Sequence, residues 1–326
     1  MMKKIAGIDI GNHSIKLIEL EYKQGQFELT RSCIKRIVGG NAKSTLADLI
    51  SETKLPLKRV NVSLSGPSVI VRYIKMPSMK EEELKSAIEF EADKYIPFNL
   101  NDSIVDCAIL DKAASGTQRV LLVAAKKSEV MNLLALFKDV GLEINTVDID
   151  SFAFLNSFHR LKAKESKGEH TYALINMGAR FSNMNIVTKG SIYFTRDVLW
   201  GGSDITNRLR DAMGISLEEA EKTKQNPAKK QEEIGGIITP VLERLASQVR
   251  MSFDYFESQF GKNVERLYIS GGTSYLFNIV DFLKDNLGVD TMMWNPFEGM
   301  KISESLKEAE YSPAIFAVAV GLALRR

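Results

Sequence analysis

Apolar and polar residues change their spacing along the chain often enough to sketch its elements. Three runs near the N-terminus, KIAGIDIG, SIKLIELEY and QFELTRSCIKRI, alternate at the period of a strand, with the turn KQGQ between the last two. They predict an antiparallel meander. KSTLADLISET has helical spacing, and the strand RVNVSLSG stops at Gly66-Pro67. From about Val69 to Leu142 the pattern reads strand, helix (KEEELKSAIEFEADKYI), two strands (SIVDCAIL, QRVLLVAA) and helix (KSEVMNLLALFKDV), a compact insert in its own right. The strand INTVDID and the amphipathic helix SFAFLNSFHRLK come next, and the charged linker AKESKGEH marks a domain boundary.

Beyond that linker, YALINMGARFSNMNIVTKGSIYFTRDV repeats the plan of the N-terminus: strand, polar residue with X-Gly, second strand, turn at Gly190, third strand. Asn176 takes the place of Asp9, and Gly178 that of Gly11. The repetition predicts a duplicated fold with a cleft between its halves. Later, Ile238, Val241, Leu242, Leu245, Val249, Phe253 and Phe256 fall on one face at three- and four-residue steps, the mark of a long core helix. The strand VERLYIS, the turn GGTSYL, the helix FNIVDFLKDNL and a last helix, SPAIFAVAVGLALRR, complete the pattern.

A chain of 326 residues with 44% hydrophobic content can build two cores. Its 43 basic and 41 acidic residues leave a net charge of +2, which argues against nucleic acid as a partner. The longest apolar run, AIFAVAVGLAL, is well short of the roughly 20 residues that span a bilayer, so a buried helix without direct membrane insertion is expected. With no signal-peptide pattern and two isolated cysteines, Cys33 and Cys107, the composition points to the cytosol. His13, His159 and His170 lack metal-ligand spacing, VGGNAKST departs from a P-loop at Ala42, and no Gly-x-Ser-x-Gly elbow occurs.

The candidate chemistry lies at the glycine-bearing strand ends. Gly11 lets backbone approach an anion, Asn12, His13 and Ser14 offer donors, Lys16 a positive charge, and Asp9 a carboxylate able to hold hydrated Mg2+. A solvated hairpin turn satisfies the same pattern. Gly271, Gly272 and Thr273 after a buried strand would set a helix N-terminus and bare backbone against a base or sugar, or make only a tight turn.

GIDIGNHSIKLIEL, INMGARFSNMNIV and YISGGTSYLFNIVDFL resemble the first phosphate, second phosphate and adenosine motifs of the actin, sugar kinase and heat-shock ATPase superfamily. VNVSLSGPSVIVRYIKMPSMKEEELKSAIEFEADKYIPF, GLEINTVDIDSFAFLN, RDVLWGGSDITNRL, SLEEAEKTK and SPAIFAVAVGLALRR resemble the PilM family of type IV pilus assembly proteins. The resemblance implies an α/β, actin-like (ribonuclease H-like) duplicated fold: two lobes around a nucleotide cleft, with an inserted subdomain like that of the cell-division protein FtsA. It implies a first lobe from 1–69 and 143–170, the insert at 70–142, a second lobe at 171–310 with a helical part at about 204–260, and a C-terminal helix, 311–326, returning to the first lobe. ATP or ADP with Mg2+ would meet Asp9, Gly11, Asn12, His13, Ser14, Lys16, Asn176, Gly178, Ala179, Gly201, Gly202, Gln248, Gly271, Gly272 and Thr273.

The implied partner is the N-terminal cytoplasmic peptide of the membrane protein PilN, docking beside the insert, where Leu84, Ile88, Glu91, Ala92 and Tyr95 lie near one side of a helix. Other pilus assembly proteins, self-association, and a place at the inner membrane held through partners are implied with it. Asn176 stands where the superfamily has an acid and Gln248 where relatives have glutamate, which argues for nucleotide binding with at most feeble hydrolysis. Asp148 and Asp150, near the cleft in such a fold, could substitute for the lost acid, with capping of the following helix the simpler role for Asp150. An active phosphotransferase, a filament-forming relative of FtsA and the homologous component of a type II secretion system are the alternatives.

Overall fold

The structure, a computed structural model, describes residues 3–112, 116–162, 168–227, 230–306 and 312–325. Most of the charged linker at 163–170 therefore lies outside the described residues. Strands β1 (Lys3–Ile10), β2 (Ser14–Lys23) and β3 (Gln26–Arg36) form the expected antiparallel meander. β4 (Arg59–Leu64) then joins β1 in parallel. β5 (Val69–Pro77), β6 (Ser103–Lys112) and β7 (Thr117–Lys126) make a separate antiparallel sheet in the order β5-β7-β6. β8 (Glu143–Ile149) returns to the first sheet parallel to β4.

The second half repeats that wiring. β9 (Thr171–Met177), β10 (Ser182–Thr188) and β11 (Ser191–Val198) are antiparallel, and β12 (Arg266–Ser270) and β13 (Asp290–Met293) continue the sheet in parallel. The orders β3-β2-β1-β4-β8 and β11-β10-β9-β12-β13 are the same topology twice. The first sheet also gains a sixth strand, the two-residue β14 (Lys301–Ile302), beside β3. So short a pairing leaves no period in the sequence to read.

Both faces of β2 are covered, so it reads as a nearly continuous buried run and not as a simple alternation. Ile15 and Leu17 face α1 (Ala42–Thr53) and α3 (Lys127–Asp139), in a core with Leu46, Leu49 and Phe137. Ile18 and Leu20 face the other way, onto α9 (Ala317–Ala323) with Phe316 and Val320. Every residue of α9 is buried, which its all-apolar sequence requires. The helix passes so close to β1 and to α4 (Asp150–Leu161) that a Cβ on Gly7 would lie 2.2 Å from the Ala319 carbonyl oxygen, and one on Gly321 1.7 Å from that of Ala153. Its end is pinned by Asn61, whose amide donates to the carbonyls of Leu322 (2.9 Å) and Arg325 (3.1 Å).

On one face of the second sheet lie α5 (Gly202–Met213), α6 (Leu217–Gln225), α7 (Gln231–Phe260) and α8 (Ile279–Leu287). The α7 stripe holds: Ile238, Leu242, Leu245, Val249 and Phe256 are buried with Trp200 and Leu209, while Val241 and Phe253 pack at the margin. The opposite face shares a core with the first lobe, in which Phe154 and Phe158 of α4 meet Tyr172, Tyr268 and Trp294. The inserted sheet has a core of its own, closed by α2 (Glu81–Glu91) through Leu84 and Ile88. α2 is shorter than the sequence reading, since the chain tightens into a 3-10 turn over Ala92–Lys94.

Candidate functional site

The two repeated hairpins face one another across a cavity of about 710 Å3. In the first, Gly11 donates its N–H to the Ser14 carbonyl (3.1 Å), and Ile37 binds the His13 carbonyl (2.8 Å), which fixes the tip against the end of β3. In the second, Gly178 donates to the Phe181 carbonyl (3.0 Å), the same three-residue closure. Directly below each tip sits a cross-strand pair in matching register, Asp9 with Lys16 and Asn176 with Asn183. Lys16 Nζ is 2.9 Å from Asp9 Oδ2, and both side chains are largely shielded from solvent.

Asp150, the first residue of α4, lines the same cavity. Burial, and next the Asp9 charge, push its carboxyl up to about 7, against the opposing pull of the Ser63 and Ser65 hydroxyls and Lys16. No side-chain cap bond forms at the start of α4, so the capping role expected for Asp150 is corrected to that of a carboxyl lining the cavity. Asp148 is spent elsewhere, accepting from Arg325 (2.7 Å) and from the Ile149 N–H (2.8 Å). His13 is held below the usual histidine range, chiefly by burial, and Glu221 cannot offset burial together with Arg36, Lys224 and Lys16.

The third wall comes from β12. Gly271 has φ +89°, and a Cβ there would lie 2.4 Å from the Met177 carbonyl oxygen, a place only glycine fits. Its N–H binds the Ala314 carbonyl (2.9 Å). The chain then enters a 3-10 turn, Gly272–Tyr275, in place of the expected helix N-terminus, and α8 begins only at Ile279. Thr273 Oγ1 donates to the Gly178 carbonyl (2.9 Å), tying this wall to the second hairpin.

The cavity thus gathers Asp9, Gly11, Asn12, His13, Ser14, Lys16, Asn176, Gly178, Ala179, Gly202, Gly271, Gly272 and Thr273. Gly201 and Gln248 are not among its lining residues. Gly201 is a packing glycine, since a Cβ there would lie 2.4 Å from the Ala179 carbonyl oxygen. The next two N–H groups, of Gly202 and Ser203, are taken by the Gly178 (3.0 Å) and Ala179 (2.8 Å) carbonyls, leaving them no anion to bind. Gln248 accepts from Arg196 (2.7 Å), because α7 turns Leu245 and Val249 to the core and Gln248 toward β11.

Sequence reasoning missed Glu221, Lys224 and Gln225, which reach the cavity from α6. Lys224 Nζ contacts Glu221 Oε2 (2.7 Å), Thr206 Oγ1 (2.9 Å) and the Gly202 carbonyl (3.2 Å). Burial raises the Glu221 pKa, but Lys224 and Thr206 outweigh it and hold the carboxylate below its ordinary range. The i, i+3 spacing of Glu221 and Lys224 was the available signal. In a helix this polar it reads equally as a solvated ion pair.

The residues expected to meet a partner are mostly enclosed. Leu84 and Ile88 pack against the inserted sheet inside the insert's core, the alternative use of this helix face to peptide docking. Glu91 and Tyr95 are half-buried, Glu91 holding Lys94 at 2.7 Å. The outward apolar side chain of α2 is Phe90, 82% exposed and not singled out from sequence. Cys33 and Cys107 are free and half-buried. Among the described residues no cluster of three or more histidine, cysteine or acidic side chains could hold a metal unaided, and no helix is long and apolar enough to cross a membrane.

Residues 7–326 match the family model described as type IV pilus assembly protein PilM. The chain belongs to the PilM family. A solved PilM-PilN type IV pilus biogenesis complex is similar over 98% of this chain and 97% of that one, at 25% identity and a TM-score of 0.89. MreB 5 of Spiroplasma citri, solved with AMPPNP, matches over 98% of this chain and 94% of its own at 12% identity and a TM-score of 0.52, a likeness of fold. The ethanolamine utilization protein EutJ of Escherichia coli (strain K12) is 30% identical over 100 residues, 31% of this chain, and the match spans about a third (33%) of that relative's length. The fold is the α/β actin-like ATPase fold, and the family is one of type IV pilus assembly.

Proposed function

We propose that this PilM-family chain is a nucleotide-binding scaffold of type IV pilus assembly, with ATP or ADP between its lobes and its insert receiving the cytoplasmic tail of PilN. The observation that carries the reading is the convergence of three glycine-bearing strand ends on one cavity of about 710 Å3, a volume in the range of small-molecule sites. The donor set suits a nucleoside polyphosphate. Lys16 and the turn at Gly11–Ser14 would face phosphate, and the paired Glu221 and Lys224, with Gln225, offer the polar edges that a ribose needs. They stand in for Gln248, which is engaged by Arg196.

Mg2+ would enter with the phosphates, held by Asp9 directly or through water, and would supply charge neutralisation there. Localisation beside the inner membrane would follow from the PilN contact. The nucleotide would act by favouring one arrangement of the lobes over another. Calorimetric titration with Mg-ATP and with ADP, each with and without the N-terminal PilN peptide, tests both halves. Absence of heat at millimolar nucleotide would remove the first half, and absence of peptide binding under every condition the second.

Slow hydrolysis is a second reading, favoured by Asp150, a carboxyl that lines the cavity and can accept a proton from water there. Phosphate release from Mg-ATP, measured for the wild type and Asp150→Asn, decides it. A rate unchanged by the substitution excludes Asp150 as that acceptor.

A further inference from the structure

The insert grows out of the first lobe, between β4 and β8, yet its side chains reach the second. Every second residue of the edge strand β11 meets it. Tyr193 is stacked by the Arg119 guanidinium, 3.8 Å from the ring centre, and the same guanidinium donates to the Ile192 carbonyl (2.8 Å). Thr195 Oγ1 lies 2.6 Å from the Tyr73 hydroxyl. The Asp197 carboxylate faces the backbone of Gly66, at the root of the insert, where Phe181 also packs. Tyr73 and Leu110 add apolar contact to the core that contains Ile192 and Val187.

Two of these contacts lead back to the cavity. Asp197 is also bound by Asn183 (2.6 Å), a cavity-lining residue whose backbone pairs with Asn176. Thr195 donates to Asn185 (2.9 Å), and Asn185 donates to the Ser151 carbonyl (2.8 Å), one residue from Asp150. Asn185 is fully buried and Asn183 nearly so, so neither amide can exchange its partner for bulk water without cost.

We infer that β11 is the mechanical seat of the insert, so that the insert moves with the second lobe and the Ser151–Asn185–Thr195–Tyr73 contacts carry cavity occupancy to it. The covalent connection and the mechanical one then belong to different lobes. Any rotation of one lobe on the other flexes the chain at its two passages between insert and first lobe, Ser65–Ser68 and Lys126–Lys127, and spares the seat. Gly66 is built for that flexing, with φ +82° and only the Phe181 ring within reach of a Cβ. The polar residues work as two-sided contacts of a rigid strand, the physical form such coupling takes. The ligand arm of this inference rests on the nucleotide reading above; the seat itself does not.

Hydrogen exchange on the full chain tests both, comparing wild type with Tyr73→Phe, Arg119→Gln and the double variant. Tyr73→Phe keeps the ring and leaves Thr195 bonded to Asn185, so the fold is retained. Without ligand, the double variant should exchange roughly tenfold faster in β11 and in β5 and β7 together, the loss expected for one or two partly buried hydrogen bonds, with β1 and β2 unchanged. Faster exchange confined to the insert, or extending into β1 and β2, overturns the seat. With Mg-ATP, the wild type should slow at residues 11–14 and also in β5 and β7, and the double variant only at 11–14. An insert that responds fully in the double variant, or that never responds while 11–14 does, overturns the relay. If residues 11–14 do not respond in the wild type, the nucleotide reading fails and takes the relay with it, and the ligand-free comparison still decides the seat.

Discussion

The two hairpins that face the cavity share a backbone and differ in charge. Gly11 closes on Ser14 as Gly178 closes on Phe181, and the pairs beneath them, seven residues apart in each case, occupy the same register. In the first the pair is ionic, Asp9 with Lys16; in the second it is two amides, Asn176 with Asn183. The first hairpin can therefore compensate the charge of a ligand or cation, and the second is left to shape and hydrogen bonding. Duplication kept the scaffold and let each half take its own chemistry.

The glycines should break the likeness most strongly. A Cβ on Gly178 would lie 2.7 Å from the Phe181 carbonyl oxygen, which is backbone and cannot yield, whereas one on Gly11 would meet the far end of the Lys16 side chain at 2.9 Å and stand farther, 3.3 Å, from the Ser14 carbonyl oxygen. Gly178→Ala is expected to cost about 2–3 kcal/mol in chemical denaturation and Gly11→Ala about 1 kcal/mol or less. Equal costs would mean that the two turns are equivalent in packing and would remove this difference between them.

Asp150 sharpens the electrostatic side of the comparison. Its folded-state pKa of about 7 lies above the ordinary 3.8, so the folded chain keeps this proton longer than the unfolded one. The associated stability is fully present below about pH 4 and is lost as pH rises to 7. Asp150→Asn should raise the Tm by roughly 3–6 °C at pH 8 and leave it nearly unchanged at pH 4. Asp9→Asn, which gives the first hairpin the neutrality of the second, should lower the Asp150 midpoint in a carboxyl-resolved NMR titration, because a like charge has gone. A midpoint that stays put would show that burial alone sets it.

The reverse exchange, Asn176→Asp, is expected to have the smallest effect, a loss of about 1 kcal/mol near neutral pH that shrinks as the solution is acidified. The new carboxylate would face Asn183 with no lysine opposite it. Thermal unfolding at pH 5 and pH 8 measures the difference.

Much of this was legible because strand period and glycine placement are local signals. The meander, its repetition and the glycine-bearing strand ends follow from spacing alone. What escaped depends on which elements meet. Glu221 and Lys224 belong to a helix whose charges read as solvent-facing until α6 is folded over the cavity. Leu84 and Ile88 announce an apolar helix face, and only the inserted sheet shows what covers it. Gln248 lies on a helix whose rotation is set by Leu245 and Val249, so the way it points is a tertiary property. The seat on β11 was equally hidden, since alternation predicts which side chains share a face and is silent on a neighbouring sheet.

The burial of α9 under the first sheet bears on the order in which a ribosome can deliver a working molecule. The second sheet is complete once residue 293 has been made, from one continuous stretch that begins at Thr171. The first sheet, started earlier, lacks the lining for Ile18 and Leu20 until residues 316–324 have been synthesised. The second sheet has all its strands by then, yet Tyr172, Leu174 and Tyr268 on one of its faces also pack against Ala317, Val318 and Leu322, so both sheets wait with an open face, exposed to chaperones, until the last helix slides in against Gly7.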